Sequence, residues 1–342
     1  MRHKWAEKFA ARARDHWTDE RVQRLTGGKD LAVLPNESPL LLRAMGLLYR
    51  DASMPPAQVR KYRQINHMVG VLGPALREVA EKFESVRIVD AGCGRSYLTL
   101  VLAHYFEHRL RHPVRILGVD RNPDVIEESR RRAEIAGYGD IVRYEVSSVG
   151  ELDLGRLWSD LFPEEDAAAT HMLVSLHACD TATDDALALG IRSGCHFIAV
   201  APCCQAELSG QWSALAGETD GPFAPVWASG HLRRTTAATV TDAMRMLLLA
   251  ASGYWATAIE FVPSEHTPKN TLIRGIRRSG PDPDKWQEYL ALRQATGGCG
   301  ISLESRIRPM FEGGDQSQQT GGDLTDQALT DQALTDQALD TA

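Results

Sequence analysis

The sequence predicts a doubly wound α/β sheet behind a helical leading segment, and three observations predict it. From Val86 onward, short apolar runs alternate with amphipathic helical stretches of about ten to fifteen residues, the pattern of crossover-connected parallel strands. The first run, "VRIVDAG", passes directly through "GCG" into a helix, so a strand tip, a glycine turn and a helix start coincide. Residues 1–84 show helical spacing instead.

In that leading segment, "PPAQVRKYRQINHMVGVLGPALREVAEKF" sets Val59, Ile65, Met68, Val69, Leu72, Leu76 and Val79 on one helical face behind Pro55 and Pro56. A kink or break is expected at Gly73-Pro74. The strands then read "VRIVDAG", "VRILGVD", "IVRYEVSS", "THMLVSLHACD", "CHFIAVAPCC", "WATAIEFVP" and "TLIRGIRR". The helix "NPDVIEESRRRAEIAG" has Pro123 in its first turn and Gly137 at its end. Residues 206–234, rich in Gly, Pro and Trp, read as an irregular segment after the fifth strand. Residues 281–312 read as a C-terminal helical extension. Beyond them, leucines at 324, 329, 334 and 339 repeat every five residues, a period that winds them around a helix and gives no packing stripe. Residues 313–342 are therefore expected to be a disordered acidic tail.

Composition narrows the function. No stretch of eighteen or more apolar residues appears, so no membrane partner is expected. The charged N-terminus lacks the apolar core of a secretory signal. The six cysteines show no disulfide framework, which suits a reducing compartment and a cytoplasmic location. Net charge is −7, but residues 311–342 hold seven acids and no Lys or Arg. Residues 1–70 carry thirteen Lys or Arg against seven acids, so a basic face is open to that region, as is an ordinary solvated surface.

The glycine turn fits a nucleotide. A pyrophosphate-binding turn places a third glycine where this chain has Tyr97, which weakens a nicotinamide dinucleotide. S-adenosylmethionine has no phosphate; it needs a tight turn and an acid at the next strand tip to accept from the ribose hydroxyls. Asp120 in "ILGVDRNP" stands there.

"VDAGCG" and "GVDRNP" resemble the first and second motifs of the class I methyltransferase family, over roughly residues 85–280. The resemblance implies a Rossmann-like seven-stranded sheet and S-adenosyl-L-methionine as cofactor. It implies that Asp90, Gly92, Cys93 and Gly94 handle the methionine end and that Asp120, with Arg121 beside it, handles the ribose. Ser147 and Ser148, ending the third strand, fall where the family contacts adenine. Domain bounds of 1–84, 85–280, 281–312 and 313–342 follow.

Unusual residues sit at the next two tips: His177, Cys179 and Asp180 in "LHACDTATD", and Cys203, Cys204 and Gln205 in "APCCQ". The Pro-Pro-aromatic tetrapeptide that holds an amine edge flat is absent, which disfavours adenine amino groups as acceptor. With "KYRQIN", "TDAMR" and "HTPKN", these stretches resemble a methyltransferase-like subgroup carrying His-x-Cys and Pro-Cys-Cys. That subgroup is distantly similar to tRNA 2′-O-methyltransferases of the acceptor stem. This chain departs from them: Ala178, Asp180, Gln205 and Ala206 stand where they have Leu, Gly and two histidines.

Three chemistries stay open for the rim. His177 acts as base or orienter, also touching the cofactor, with Cys203 and Cys204 shaping the pocket. Alternatively, a thiolate attacks a pyrimidine ring, or His177, Cys179, Cys203 and Cys204 hold zinc. Lys61, Arg63, Gln64 and Asn66, on the helix before the first strand, are candidates to cover the cofactor. Asp242 and Arg245 are spaced as a helical ion pair. The expected partner is RNA, tRNA or rRNA, rather than DNA. A small-molecule or protein acceptor and a non-catalytic scaffold are the alternatives.

Overall fold

Successive residues of each central strand enter different cores. Ile88, Ile116, Met172, Val174, Phe197 and Ala199 join one buried cluster; Val89, Leu117, Leu173, Ile198 and Val200 join the other. This period of two needs helices on both faces of the sheet. The computed structural model, which describes residues 2–163, 169–176, 178, 180–218, 220–261 and 270–312, shows that arrangement.

The strands are β1 (Val86–Ala91), β2 (Val114–Asp120), β3 (Val142–Val146), β4 (Met172–Ser175), β5 (Phe197–Val200), β6 (Tyr254–Glu260) and β7 (Thr271–Arg277). Four helices precede them: α1 (Arg2–His16), α2 (Asp19–Thr26), α3 (Pro39–Ala44) and α4 (Pro56–Lys82). Crossovers are made by α5 (Tyr97–His104), α6 (Pro123–Ala136), α7 (Leu154–Leu161) and α8 (Thr181–Arg192). Between β5 and β6 lie α9 (Glu207–Ala214), α10 (Ala224–Ala228) and α11 (Gly230–Ala251). After β7 come α12 (Pro283–Ala295), α13 (Ser302–Ile307) and α14 (Pro309–Glu312).

Strand order is β3-β2-β1-β4-β5-β7-β6. This is the Rossmann-like seven-stranded sheet expected from the sequence. The order reverses between β1 and β4, and a crevice opens at the carboxyl ends of strands where that happens. The sheet is not wholly parallel. β7 runs antiparallel to both β5 and β6. No crossover helix stands between β6 and β7 among the described residues, and without one two consecutive strands pair antiparallel.

Local chemistry sets the helix ends. Asn122 accepts from the backbone N–H groups of Asp124 and Val125 to start α6 behind Pro123. Asp153 and Asp282 cap α7 and α12 likewise. Two expectations are corrected. α4 runs on through Pro74: the missing N–H frees only the Gly70 carbonyl, on a solvent-facing side, while Leu72, Leu76 and Val79 stay buried. Residues 206–234 are largely helical, ordered by burial of Trp212 and Trp227 around Phe223. The helix after β1 widens into a π turn, Tyr105–Leu110, from which Arg109 donates to the Leu31 and Ala32 carbonyls.

The leading helices share a core with the sheet. Phe9, Ala13, Trp17, Leu41 and Leu42 belong to the same buried cluster as Ile88 and Ile116. His104 of α5 bridges the two parts: Nε2 meets Ser38 Oγ at 3.0 Å and Nδ1 meets the Tyr138 hydroxyl at 2.8 Å. No described helix is long and apolar enough to cross a membrane. The expected acidic tail, 313–342, lies outside the described residues.

Burial, aided by His108 and Arg109, lowers the pKa of His104 to about 4. The unfolded chain therefore takes up a proton that the folded chain refuses, and stability falls as pH drops from 6.5 toward 4. At pH 5 this costs about 2 kcal/mol. His104→Gln is expected to lose less stability than the wild type between pH 7 and pH 5, a difference read from urea unfolding at both values.

Candidate active site

The glycine turn is pinned from four sides. Gly92 and Cys93 donate their N–H groups to the Val119 carbonyl, fixing the turn to the end of β2. Gly94 N–H donates to Asp120 Oδ2 at 3.0 Å. Ser129 Oγ donates to the Gly94 carbonyl, and Arg132 to the Arg95 carbonyl, both from α6. Ser96, fully buried, is bonded to the Tyr144 hydroxyl of β3. Gly92 and Gly94 have φ of 74° and 51°, backbone that glycine adopts without strain.

A glycine is also needed beneath the turn. A Cβ on Gly118 would lie 2.7 Å from the Tyr144 ring and 3.2 Å from Cys93 Sγ. The Cys93 thiol is buried there, with its pKa pushed up by desolvation. It is a packing group beneath the turn.

Asp90 and Asp120 occupy different environments. Asp90 is 2% exposed and accepts from Thr99 Oγ1 at 2.6 Å. Burial raises its pKa to about 6, against the lowering pull of Thr99. It ties the start of α5 to β1 from below the turn. Asp120 is half-buried at the tip of β2. One of its oxygens accepts from Gly94 N–H and the other from Asn122 N–H at 2.9 Å. A carboxylate has about four acceptor positions. Two are used, so two remain for a diol. Arg121 is exposed beside it; Ser147 is half-buried and Ser148 exposed after β3, and Ser147 N–H donates to the Asp120 carbonyl. Positive-φ glycines and a half-satisfied acid at the neighbouring tip suit a nucleoside with a free ribose.

The tips of β4 and β5 are cross-braced. Asp180 N–H donates to the Cys204 carbonyl, and Asp180 Oδ1 accepts from the backbone N–H groups of Ala206 and Glu207. Its backbone, at φ 52° and ψ −118°, is strained for a residue with a Cβ. Arg245, fully buried on α11, holds that conformation. Its Nη2 donates to the Asp180 carbonyl at 2.9 Å, its Nε to Asp184 at 2.8 Å and its Nη1 to Asp242 at 3.1 Å. Asp242 in turn accepts from Gln205. Burial raises the pKa of Asp184 to about 6, against the lowering pull of Arg245. Asp180 is thus placed as a structural tie between the loops. Cys203 and Cys204 are half-buried on the same rim. His177 and Cys179 lie outside the described residues, as do His266 and Lys269 of "HTPKN". Ala178, between His177 and Cys179, approaches Gly92: a Cβ there would lie 3.9 Å from its nitrogen.

Two cavities lie elsewhere. One of about 420 Å³, bordered by Phe83, His171 and His196, opens at the opposite edge of the sheet. The other, of about 430 Å³, lies between the leading segment and α5. We place the site at the strand tips, where the strand order reverses and the open acid stands.

Residues 60–211 match the family model described as a methyltransferase domain. Among solved structures, the chain is similar to cofactor-bound Rv0187 from MTB, at 16% identity over 72% of this chain and 92% of that one, TM-score 0.38. It is similar to a putative rRNA methylase from Clostridium thermocellum, at 13% identity over 61% and 97%, TM-score 0.36. It is also similar to a putative caffeoyl-CoA O-methyltransferase from Staphylococcus aureus, at 11% identity over 64% and 90%, TM-score 0.38. No curated protein matched the sequence.

The sequence marked Gly92, Gly94 and Asp120 but not the groups that hold them. Ser129 and Arg132, three apart on α6, and Tyr144, alone on β3, gave no signal. Arg245 gave one, its i,i+3 spacing from Asp242, which reads equally as a surface pair. Arg245→Met leaves Asp184 and Asp242 without their cation and is expected to cost about 3–5 kcal/mol. The double variant Arg245→Met with Asp184→Leu should recover part of that loss; both are measured by denaturant unfolding.

Proposed function

We propose that the protein is a methyltransferase that uses S-adenosyl-L-methionine and that its acceptor is RNA, tRNA or rRNA. The observation that carries the cofactor reading is Asp120: a half-buried carboxylate beside a pinned glycine turn, with two acceptor positions left over. The bound cofactor supplies an electrophilic methyl group for in-line displacement. The chain's part is to bind, orient and hold a proton. Asp120 accepts from the ribose hydroxyls. The backbone at Gly92–Gly94 lies against the methionine end, and Ser147 and Ser148 border the base. His177 orients the acceptor and takes its proton, and Cys203 and Cys204 shape the opposite wall. Asp180 and Arg245 keep the two rim loops in register, since misplacing an acceptor by about 1 Å costs orders of magnitude in rate.

The RNA reading is supported by the likeness of "LHACD", "APCC" and "TDAMR" to the methyltransferase-like subgroup, and by the excess of basic residues in 1–70. A cytoplasmic location accords with it.

Asp120→Ala is expected to weaken cofactor binding by at least about tenfold, for two lost charge-assisted hydrogen bonds. His177→Ala should slow methyl transfer far more than it weakens cofactor binding. Calorimetry with the cofactor and its demethylated product checks the first; equal affinity for Asp120→Ala and wild type would remove the ribose assignment. Incubation of labelled cofactor with fractionated cell extract checks the acceptor. Label in a small-molecule or protein fraction and none in RNA would overturn the RNA reading.

A further inference from the structure

The two halves of α4 have different hydrogen-bonding partners. α4 has 27 residues and β1 has 6. At about 1.5 Å per helical residue and about 3.3 Å per strand residue, these span about 40 Å and about 20 Å. The helix ends at Lys82, just before β1 begins at Val86, so it runs back along the sheet from the amino-terminal edge. Its lower end is fixed there: Glu78 accepts from His196, ahead of β5, and from Arg278, after β7. Leu72, Leu76 and Val79 enter the sheet's core. Higher up, the anchoring partner is different. The Tyr62 hydroxyl donates to the Val33 carbonyl, and Val33 N–H donates to Asn66 Oδ1. The upper turns are therefore held by hydrogen bonds to the leading segment.

The outer face of those turns is basic. Arg60, Arg63, Gln64 and His67 follow one another at i, i+3, i+4 and i+7, with Lys61 beside them, and all five are exposed. Tyr62, Asn66 and Val69 are buried on the opposite side. From Pro55 to Arg77 the sequence contains no Asp or Glu. Among the described residues no salt bridge engages Arg60, Lys61 or Arg63, whereas Arg24 and Arg131 pair with carboxylates on their own helices. Arg63 reaches only the Leu25 carbonyl at 3.5 Å. A solvated helix commonly balances its cations at i+3 or i+4; this face leaves them unbalanced over about two turns.

We propose that this face of α4 is a docking surface for the phosphate backbone of RNA. The inference rests on the RNA reading above and names where the chain grips that substrate. Guanidinium groups bond phosphate oxygens in pairs, and Lys61 adds a mobile point charge. The side chains of Gln64 and His67 add donors between them. None of these groups reads a base, so the surface supplies affinity and register while the rim supplies selectivity.

The test measures binding of an unmodified tRNA transcript by full-length protein across a salt series. Each phosphate contact contributes about 0.7–0.9 to the slope of log affinity against log salt. Arg60→Gln with Lys61→Gln and Arg63→Gln should reduce that slope by about two to three and lower affinity at low salt by at least about tenfold. The melting temperature checks folding, and the single variant Arg60→Glu should show the same direction should the triple variant unfold. A wild type that binds with no salt slope would overturn the RNA reading itself. A wild-type slope that the variants leave unchanged would overturn only the α4 surface. Tighter binding to polyglutamate than to the transcript would replace RNA with an acidic protein partner.

Discussion

One hydrogen bond organises the candidate site: Gly94 N–H to Asp120 Oδ2, across the gap between the first two strand tips. Without it, a turn with two positive-φ glycines has many conformations open to it, since glycine loses more freedom on ordering than any other residue. With it, the turn and the acid share one geometry. The other constraints serve the same end. Gly118 makes room for Tyr144, Tyr144 reaches Ser96, and Ser129 and Arg132 take the turn's carbonyls. A ligand arriving there meets an already ordered backbone, so little of its binding energy is lost to ordering the protein. The bond also leaves Asp120 with acceptor capacity, because each oxygen has given up one position only.

The second strand-tip pair is built on a different principle. Around β1 and β2 the order comes from backbone donors. Around β4 and β5 it comes from one buried cation. Arg245 binds two carboxylates and one carbonyl. Through Asp180 and Gln205 that bracing extends to both loops carrying the rim cysteines. A buried ion network of this kind contributes little net stability compared with an apolar replacement, but it allows few geometries. For the methyl transfer proposed above, a rim needs geometry more than stability. The strain at Asp180, with φ positive and a Cβ present, is offset by three backbone hydrogen bonds and the Arg245 contact.

Much of the fold was legible in the sequence, because strand and helix periods differ and the chain alternates them cleanly from Val86. The glycine turn and Asp120 were legible for a related reason: small residues and an acid at strand tips interrupt an apolar pattern. Three features were not. The antiparallel β7 depends on which strands meet, and a short apolar run such as "TLIRGIRR" carries no direction. The order in 206–234 comes from Trp212 and Trp227 entering a core whose other wall lies on distant helices, so a window of sequence shows only Gly and Pro. Asp90 sits in the motif, but that its carboxylate binds Thr99, nine positions on, is visible only in the packed structure.

The leading segment ties these parts together. It buries Phe9, Trp17 and Leu42 in the sheet's own core and reaches α5 and α6 through His104 and Tyr138. It also props α4 through Val33. A long helix without that prop would present its upper turns to water on all sides, and packing of one face is what sustains most helices. The bonds from Tyr62 and Asn66 therefore do two things. They keep the upper turns of α4 helical, and they commit its buried side to the leading segment, leaving the basic side outward. Position and charge on α4 are thus separable. Tyr62 and Asn66 fix where the face stands, and Arg60, Lys61 and Arg63 fix what it attracts.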